Sequence, residues 1–192
     1  MTTRLALVVC TANVCRSPVA ERALRRRLGG LRDVDGASWR VVSAGTAEVR
    51  AEVDKATRAA AVEVGLDVDD HIRRRVDRQL LQTEPPDLVL TMTRQHLRTV
   101  VGLDPTFWPR TFTVKELARR ARELSARHPP SVQVWLADVH RGRRSSDLIR
   151  PDENDDVADP YGGTRDDYRR MIDEVVRAVD ELVAFGPWRT AV

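Results

Sequence analysis

The chain has 192 residues, with 32 Lys and Arg against 29 Asp and Glu, and a formal net charge of +3 at pH 7. This length suits one domain with a full hydrophobic core, and no apolar stretch approaches the roughly 18 residues of a membrane span. The arginines are interleaved with acidic residues rather than with aromatic ones, which disfavours a nucleic-acid-binding surface. We therefore expect a single-domain cytoplasmic protein whose partners include neither nucleic acid nor a membrane.

The first predicted element is a strand over the apolar run Leu5–Val9, which leads directly into a short polar segment. A helix should begin near Ser17 and Pro18, a favourable pair for the start of a helix, and end at Gly29 and Gly30. A chain that leaves a strand, turns tightly and enters a helix points several backbone N–H groups into the turn. Together with the positive end of the helix, these donors form an anion-binding site.

Apolar runs alternate with helical patterns along the rest of the chain. The further strands are predicted at Trp39–Val42, Leu88–Thr91 and Thr111–Val114, and the further helices at Lys55–Val64, Asp77–Gln82, Glu116–Ala126 and from Thr164 onward. This alternation is typical of an α/β protein with a parallel sheet and helices on both faces. We expect one three-layer domain over residues 1–192, with a central four-stranded parallel sheet and the anion-binding turn near its N-terminus.

Cys10 and Arg16 bracket the predicted turn. The field that favours a bound anion also favours a thiolate, so Cys10 is a candidate nucleophile. Arg16 lies at the start of the helix, where a planar guanidinium can hold two oxygens of a phosphate group. Asn13 lies within the turn, and asparagine tolerates the left-handed backbone conformation that such a turn commonly needs. These residues predict a nucleophilic cysteine beside a bound oxyanion.

The segment Cys10–Pro18 resembles the Cys-x(5)-Arg-Ser phosphate loop of the low-molecular-weight protein tyrosine phosphatase family, including Asn13 and Cys15 inside the loop. Ser43–Thr46 and His71–Arg73 are similar to further segments of that family. The resemblance implies a hydrolase that forms a phosphocysteine, uses no cofactor and no metal, and releases inorganic phosphate from a phosphorylated protein.

The same resemblance implies supporting roles for residues around the loop. Ser17 is expected to stabilise the returning thiolate, and hydrogen bonds among Asn13, Ser17 and His71 are expected to keep the loop shaped. The residues expected to contact the substrate are Thr11, Ala12, Val14, Val49 and Tyr161.

When a thiolate attacks phosphorus, the departing oxygen needs a proton, which a carboxylic acid above the phosphate site can supply. Five acidic residues lie in one predicted loop before the last helix, and composition alone does not choose among them: Asp152, Glu153, Asp155, Asp156 and Asp159. Asp159, Pro160 and Tyr161 resemble the Asp-Pro-Tyr acid loop of the family, which implies that Asp159 is the general acid. Pro160 biases Asp159 toward an extended conformation, which helps to aim its carboxyl group.

A protein-tyrosine-phosphate phosphatase is the preferred interpretation, although Val49 and Gly162 stand where phosphotyrosine-specific members often carry aromatic residues. A protein-arginine phosphatase is an alternative, but Val14 stands where such members have threonine. An arsenate reductase of the thiol-relay type needs more cysteines than the two in this chain. The non-enzymatic alternative is a phosphate-recognition module.

Two further features complete the sequence-based expectations. Cys15 lies five residues from Cys10 and could trap an oxidised Cys10 as a reversible disulfide, or be a small packing thiol. The four histidines show no metal-ligand spacing with the cysteines, so no metal is expected. The segment at about 116–156 is longer than a compact member of the family needs. It is either an elaborated, mobile approach to the site or a surface insertion without a role.

Overall fold

The computed structural model describes residues 2–48, 52–125, 129–149 and 152–190 of the chain. Over these ranges the strands are β1 (Thr3–Cys10), β2 (Leu31–Asp33), β3 (Ser38–Gly45), β4 (Leu88–Thr91), β5 (Thr111–Thr113) and β6 (Trp188–Thr190). Strands β3, β1, β4 and β5 form, in this order, a four-stranded sheet. All three pairings in this sheet are parallel, so the predicted sheet is confirmed.

Helices connect and cover these strands. In the described ranges the α-helices are α1 (Arg16–Leu28), α2 (Lys55–Glu63), α3 (Arg78–Thr83), α4 (Arg94–Leu103), α5 (Val114–Glu123), α6 (Val132–His140) and α7 (Arg165–Phe185). Helix α7 begins with a capping box, formed by Thr164 and Asp167. The sequence patterns delimit neither α4 nor α6. None of the helices in these ranges is both long enough and apolar enough to cross a membrane.

The two faces of β1 are covered by different helices. Ala6 and Val8 pack in a core with residues of α1, α5 and α7, whereas Leu7 and Val9 pack with residues of α3 and α4. Successive side chains of a strand point to opposite faces, so a strand buried on both faces is apolar without interruption. This burial explains the unbroken apolar run in β1 and gives the three layers of the fold.

The carboxyl ends of the parallel strands meet at one edge of the sheet. Cys10, the last residue of β1, pairs with Gly45 at the end of β3. Val9 pairs with Thr91 at the end of β4. The chain leaves this edge through the loop of residues 11–15 and enters α1. The predicted turn therefore lies at the carboxyl edge, between the ends of two neighbouring strands.

Helix α6, in the long segment at about 116–156, packs at the opposite edge of the sheet. The N–H of Val132 donates to Asp35 over 3.0 Å, and Asp35 also pairs with Arg4 near the start of β1. Trp135 of α6 packs edge-on against Trp188 of β6, with ring centroids 5.9 Å apart. This helix does not approach Cys10. Residues 152–156 of this segment do approach the carboxyl edge, beside the N-terminus of α4, where Asp156 accepts from the backbone N–H of Arg94.

Candidate active site

The Cys10 loop, residues 10–17, wraps its backbone around the Cys10 thiol. Asn13 adopts the expected left-handed conformation, with a φ of 58°. Its N–H points to Cys10 Sγ over 3.3 Å, and the Ser17 hydroxyl oxygen lies 3.0 Å from the same sulfur. Cys10 is only 2% exposed and lies beside the N-terminus of α1, which begins at Arg16. Two hydrogen-bonding groups and the positive end of a helix therefore meet at the sulfur of Cys10, which suits this position to negative charge.

The side chain of Asn13 orients the hydroxyls beneath this loop. Its Oδ1 accepts from the backbone N–H of Arg74 at 2.9 Å, which fixes the orientation of the amide. Nδ2 therefore donates, to Ser17 Oγ at 2.9 Å and to Ser43 Oγ at 2.8 Å. Ser43 in turn donates to Glu21 over 2.5 Å. Because Ser17 Oγ accepts from Asn13, the Ser17 proton is free to point at Cys10 Sγ.

His71 closes this network from a second side. Its Nε2 donates to the carbonyl oxygen of Asn13 over 3.2 Å, and its Nδ1 lies 3.7 Å from Glu21 Oε2. Burial lowers the pKa of His71. Glu21 is only 4% exposed and is a support that the sequence analysis does not single out. The feature of the sequence that indicates this role is an acidic residue next to Ala20, on the buried face of α1.

Gly45 lets β3 pass directly beneath the Cys10 loop. A β-carbon at this position would come within 2.7 Å of the Thr11 carbonyl oxygen and 3.0 Å of the Ala12 carbonyl carbon. The N–H of Thr46 also donates to the Cys10 carbonyl oxygen at 2.9 Å. The residues Ser43–Thr46 thus form the floor on which the loop lies.

The Arg16 side chain is buried at the rim of the loop. Arg16 is 4% exposed, and its Nη1 donates to the carbonyl oxygen of Val157 over 3.1 Å. Its Nη2 donates to Thr11 Oγ1 over 3.1 Å and to Asp159 Oδ2 over 2.5 Å. Its Nε is buried without a hydrogen-bond partner among the described residues. A buried, unpaired N–H on a cation beside Cys10 provides a donor for an oxyanion.

Asp155 and Asp156 in the loop before α7 both contact Arg94, whereas Asp159 contacts Arg16. Asp155 is 2% exposed and is held by Arg94 at 2.8 Å and Arg119 at 3.1 Å. Asp156 accepts from the backbone N–H of Arg94 over 2.7 Å, at the start of α4. Asp159 is the acid that contacts Arg16, and its side chain is 48% exposed. Asp155 and Asp156 anchor the loop, whereas Asp159 lies at the mouth of the site.

A cavity of about 250 Å³ opens above the Cys10 thiol. It is lined by Cys10, Thr11, Ala12, Val14, Cys15, Arg16, Asp159 and Tyr161. Tyr161 is 71% exposed and forms one side of the mouth. Val49, which the family resemblance places among the expected substrate contacts, lies outside the described residues. Within the described ranges, no group of three or more His, Cys, Asp or Glu side chains is arranged to hold a metal ion.

Cys15 is the second thiol of the loop, and both cysteines are free. Cys15 is 4% exposed, and burial raises its pKa to about 11. At neutral pH it is therefore a protonated thiol. The two thiols therefore differ in environment. Burial dominates at Cys15, whereas the backbone N–H of Asn13 donates to the sulfur of Cys10.

Comparison with known proteins places this site in a family. Residues 6–128 match the low molecular weight phosphotyrosine protein phosphatase family. The low molecular weight protein-tyrosine-phosphatase Etp of Escherichia coli (strain K12) is 34% identical over 100 residues. That match covers 52% of this chain and 61% of Etp, so it spans less than two thirds of the relative.

Solved structures share the fold over almost the whole chain. The low molecular weight protein tyrosine phosphatase from T. tengcongensis has a TM-score of 0.66 at 26% identity, over 94% of this chain and 98% of that chain. The YwlE arginine phosphatase from Geobacillus stearothermophilus has a TM-score of 0.65 at 25% identity, over 94% and 91% of the two chains. The matched region includes the whole Cys10 loop and its supports in β3 and at His71. The chain therefore belongs to the low molecular weight phosphotyrosine protein phosphatase family.

Proposed function

We propose that this protein is a cysteine-dependent phosphomonoesterase that hydrolyses protein phosphotyrosine through a phosphocysteine. The observation that carries the proposal is that one cavity brings together the Cys10 thiol, the buried Arg16 guanidinium and the Asp159 carboxylate. Membership of the family supports the same chemistry. The substrate is then a phosphorylated protein, and the second product is inorganic phosphate.

In the first displacement, the Cys10 thiolate attacks phosphorus while the bond to the leaving oxygen breaks, which gives the phosphocysteine. Arg16 exchanges its contact with Asp159 for phosphate oxygens, and its unpaired Nε supplies a further donor. Asp159, released from Arg16 and in its acid form, gives its proton to the leaving oxygen. Backbone N–H groups of the loop share the charge of the transferring group.

In the second displacement, water attacks phosphorus and the bond to sulfur breaks. Asp159, now a carboxylate, takes a proton from this water. Ser17 donates to the departing thiolate, because its oxygen already accepts from Asn13 and its proton is free to point at Cys10 Sγ. Neither step in this proposal requires a cofactor or a metal ion.

The walls of the cavity support phosphotyrosine as the substrate. Ala12, Val14 and the ring of Tyr161 offer apolar surface to an aromatic leaving group. The structural relative from Geobacillus stearothermophilus carries the name arginine phosphatase, which makes phosphoarginine the alternative substrate. In this chain Val14 precedes Cys15 and lacks the hydroxyl that would position water near phosphoarginine.

A comparison of two substrates tests the proposal. We expect the purified protein to hydrolyse p-nitrophenyl phosphate without loss of rate in EDTA. We also expect kcat/KM for a phosphotyrosine peptide to exceed that for a phosphoarginine peptide of otherwise identical sequence by about tenfold or more. Absence of hydrolysis of every substrate would overturn the enzymatic proposal in favour of a phosphate-recognition module. A preference for phosphoarginine would instead overturn only the choice of substrate.

We further propose that Cys15 protects Cys10 from irreversible oxidation. Peroxide would convert the Cys10 thiolate to a sulfenic acid, and the Cys15 thiol would condense with it to form a disulfide and release water. The pKa of about 11 keeps Cys15 protonated, so peroxide would react first at Cys10.

The free thiols suit a reducing compartment, and we propose that the protein acts in the cytoplasm.

Peroxide treatment distinguishes a protective Cys15 from a packing thiol. We expect a dithiol to restore most of the activity of the oxidised wild-type protein, but little of the activity of a Cys15→Ser variant. The measurement is hydrolysis of p-nitrophenyl phosphate before oxidation, after oxidation and after reduction, each relative to the same untreated variant. Equal recovery in both proteins would leave Cys15 as a packing residue.

A further inference from the structure

A chain of hydrogen bonds leads from the start of α4 to the Arg16 guanidinium. His96 Nδ1 lies 2.9 Å from Thr93 Oγ1, and His96 Nε2 lies 2.9 Å from Thr11 Oγ1. The same Thr11 oxygen accepts from Arg16 Nη2 over 3.1 Å. Three contacts thus connect the start of α4 to the guanidinium of Arg16. No motif in the sequence predicts a role for His96 in this chemistry.

His96 is held rigidly within these hydrogen bonds. It is 5% exposed, and its backbone N–H donates to Thr93, the residue that caps α4. Burial, with a smaller contribution from Arg16, lowers the pKa of His96 to about 3, so the ring is neutral at neutral pH. A neutral imidazole has one donor and one acceptor, and a hydroxyl can serve as either. In both tautomers, an oxygen lone pair of Thr11 remains for Arg16.

The contacts of Arg16 differ in whether they can persist when phosphate binds. In the proposed mechanism Asp159 must leave Arg16 to act on the leaving oxygen. Val157 and Thr11 are then the contacts with the guanidinium that remain, through Nη1 and Nη2. Thr11 alone would be a weak anchor, because it lies exposed at the rim of the loop. The buried ring of His96 fixes its hydroxyl.

We propose that His96 is a positioning residue that orients the phosphate-binding guanidinium of Arg16 through the Thr11 hydroxyl. This inference rests on the proposed function, because it takes Arg16 as the ligand of the phosphate oxygens. A donor held in place before the anion arrives binds it more tightly, since less side-chain freedom is lost on binding. His96 therefore acts on phosphate affinity without touching phosphate.

Four variants test these hydrogen bonds: Thr11→Val, His96→Phe, His96→Gln and the Thr11→Val/His96→Phe double variant. The measurements are the affinity for inorganic phosphate by titration calorimetry and kcat/KM for p-nitrophenyl phosphate. We expect Thr11→Val and His96→Phe each to weaken phosphate binding by about tenfold, which corresponds to one hydrogen bond to a charged group. The double variant should lose no more than about twofold beyond either single variant, because both changes break the same chain.

Two further variants separate positioning from general damage. His96→Gln keeps an amide that can bond the Thr11 hydroxyl, and we expect it to retain phosphate affinity within about twofold of wild type. Thr99→Val removes a hydroxyl from the exposed face of the same helix, where Thr99 donates to Gln95, and should change neither measurement. Thermal unfolding of each variant reports on folding. Thr11→Val changes an exposed loop residue, so its result stands even if His96→Phe fails to fold.

Unchanged phosphate affinity in Thr11→Val would overturn the proposal, and so would independent losses that multiply in the double variant. Calorimetry does not depend on turnover, so the His96 proposal is tested even if the protein hydrolyses no phosphoester. A wild-type protein that binds no inorganic phosphate would contradict both this inference and the proposed function. Hydrolysis with unchanged affinity in all His96 variants would contradict only the inference.

Discussion

Replacing Cys10 with serine is expected to lower kcat for p-nitrophenyl phosphate by about four orders of magnitude or more. A serine hydroxyl is almost fully protonated at neutral pH, and the loop has no base in hydrogen-bond contact with this position that would activate it. The loop instead directs the Asn13 N–H and the Ser17 hydroxyl at the sulfur. These donors favour an anionic thiolate and do not remove a proton from serine. Steady-state hydrolysis at neutral pH measures the effect.

Phosphate binding to the same variant separates the nucleophile from the binding site. Arg16 and the loop N–H groups remain in place, and the thiolate charge that repels an anion is gone. We therefore expect Cys10→Ser to bind inorganic phosphate at least as tightly as the wild-type protein and to unfold at a similar temperature. A serine variant with wild-type turnover would show that another group is the nucleophile. Loss of phosphate binding together with loss of stability would report damage to the loop.

The parallel sheet could be predicted from the sequence because its signals are local. Strand β1 is buried on both faces and is therefore an unbroken apolar run, and Leu88–Thr91 of β4 is buried in the same way. The antiparallel pair of β2 and β6 gives no such signal. Each of these strands has three residues, and they lie at distant places in the chain. Their pairing depends on packing such as the edge-on contact between Trp39 and Trp188.

The same distinction holds for the site. Cys10, Asn13, Arg16 and Ser17 lie in one short loop, where the order of residues already defines the chemistry. His96 reaches this loop across 85 residues of sequence, and nothing next to it in the chain marks it. Only the packing of α4 beside the end of β1 brings it to Thr11. Supports of this kind can be found only once the fold is known.

The choice of Asp159 among the acidic residues shows how resemblance and structure contribute differently. The sequence offers several acids in one loop and no physical reason to prefer one. In the structure Asp155 is buried between Arg94 and Arg119, and Asp156 accepts from a helix N-terminus. Residues with such contacts stabilise the loop and are poorly placed to exchange protons with a substrate. The position of Asp159 beside Arg16 supports its proposed role as general acid.

Arg16→Lys is expected to lower kcat/KM for p-nitrophenyl phosphate by about 10²–10³-fold, although the side chain keeps its charge. The Arg16 guanidinium already donates to Val157 through Nη1 and to Thr11 through Nη2, and its Nε is unpaired. It can therefore stay anchored while it donates to phosphate oxygens in a fixed plane. A lysine ammonium is a point charge with three donors at one atom, so it cannot keep these anchors and hold two oxygens together.

Arg26→Lys is the matched control for this change. Arg26 lies on the same helix, but its Nη1 donates to the carbonyl oxygens of Val64 and Gly65 at the end away from the Cys10 loop. We expect this variant to keep kcat/KM within about twofold of wild type, as usual for a surface substitution. Steady-state kinetics and phosphate titration on both variants make the comparison. Since both substitutions preserve net charge, a loss confined to Arg16→Lys would arise from the planar geometry of the guanidinium. Full activity in Arg16→Lys would mean that a positive charge alone is sufficient at this position.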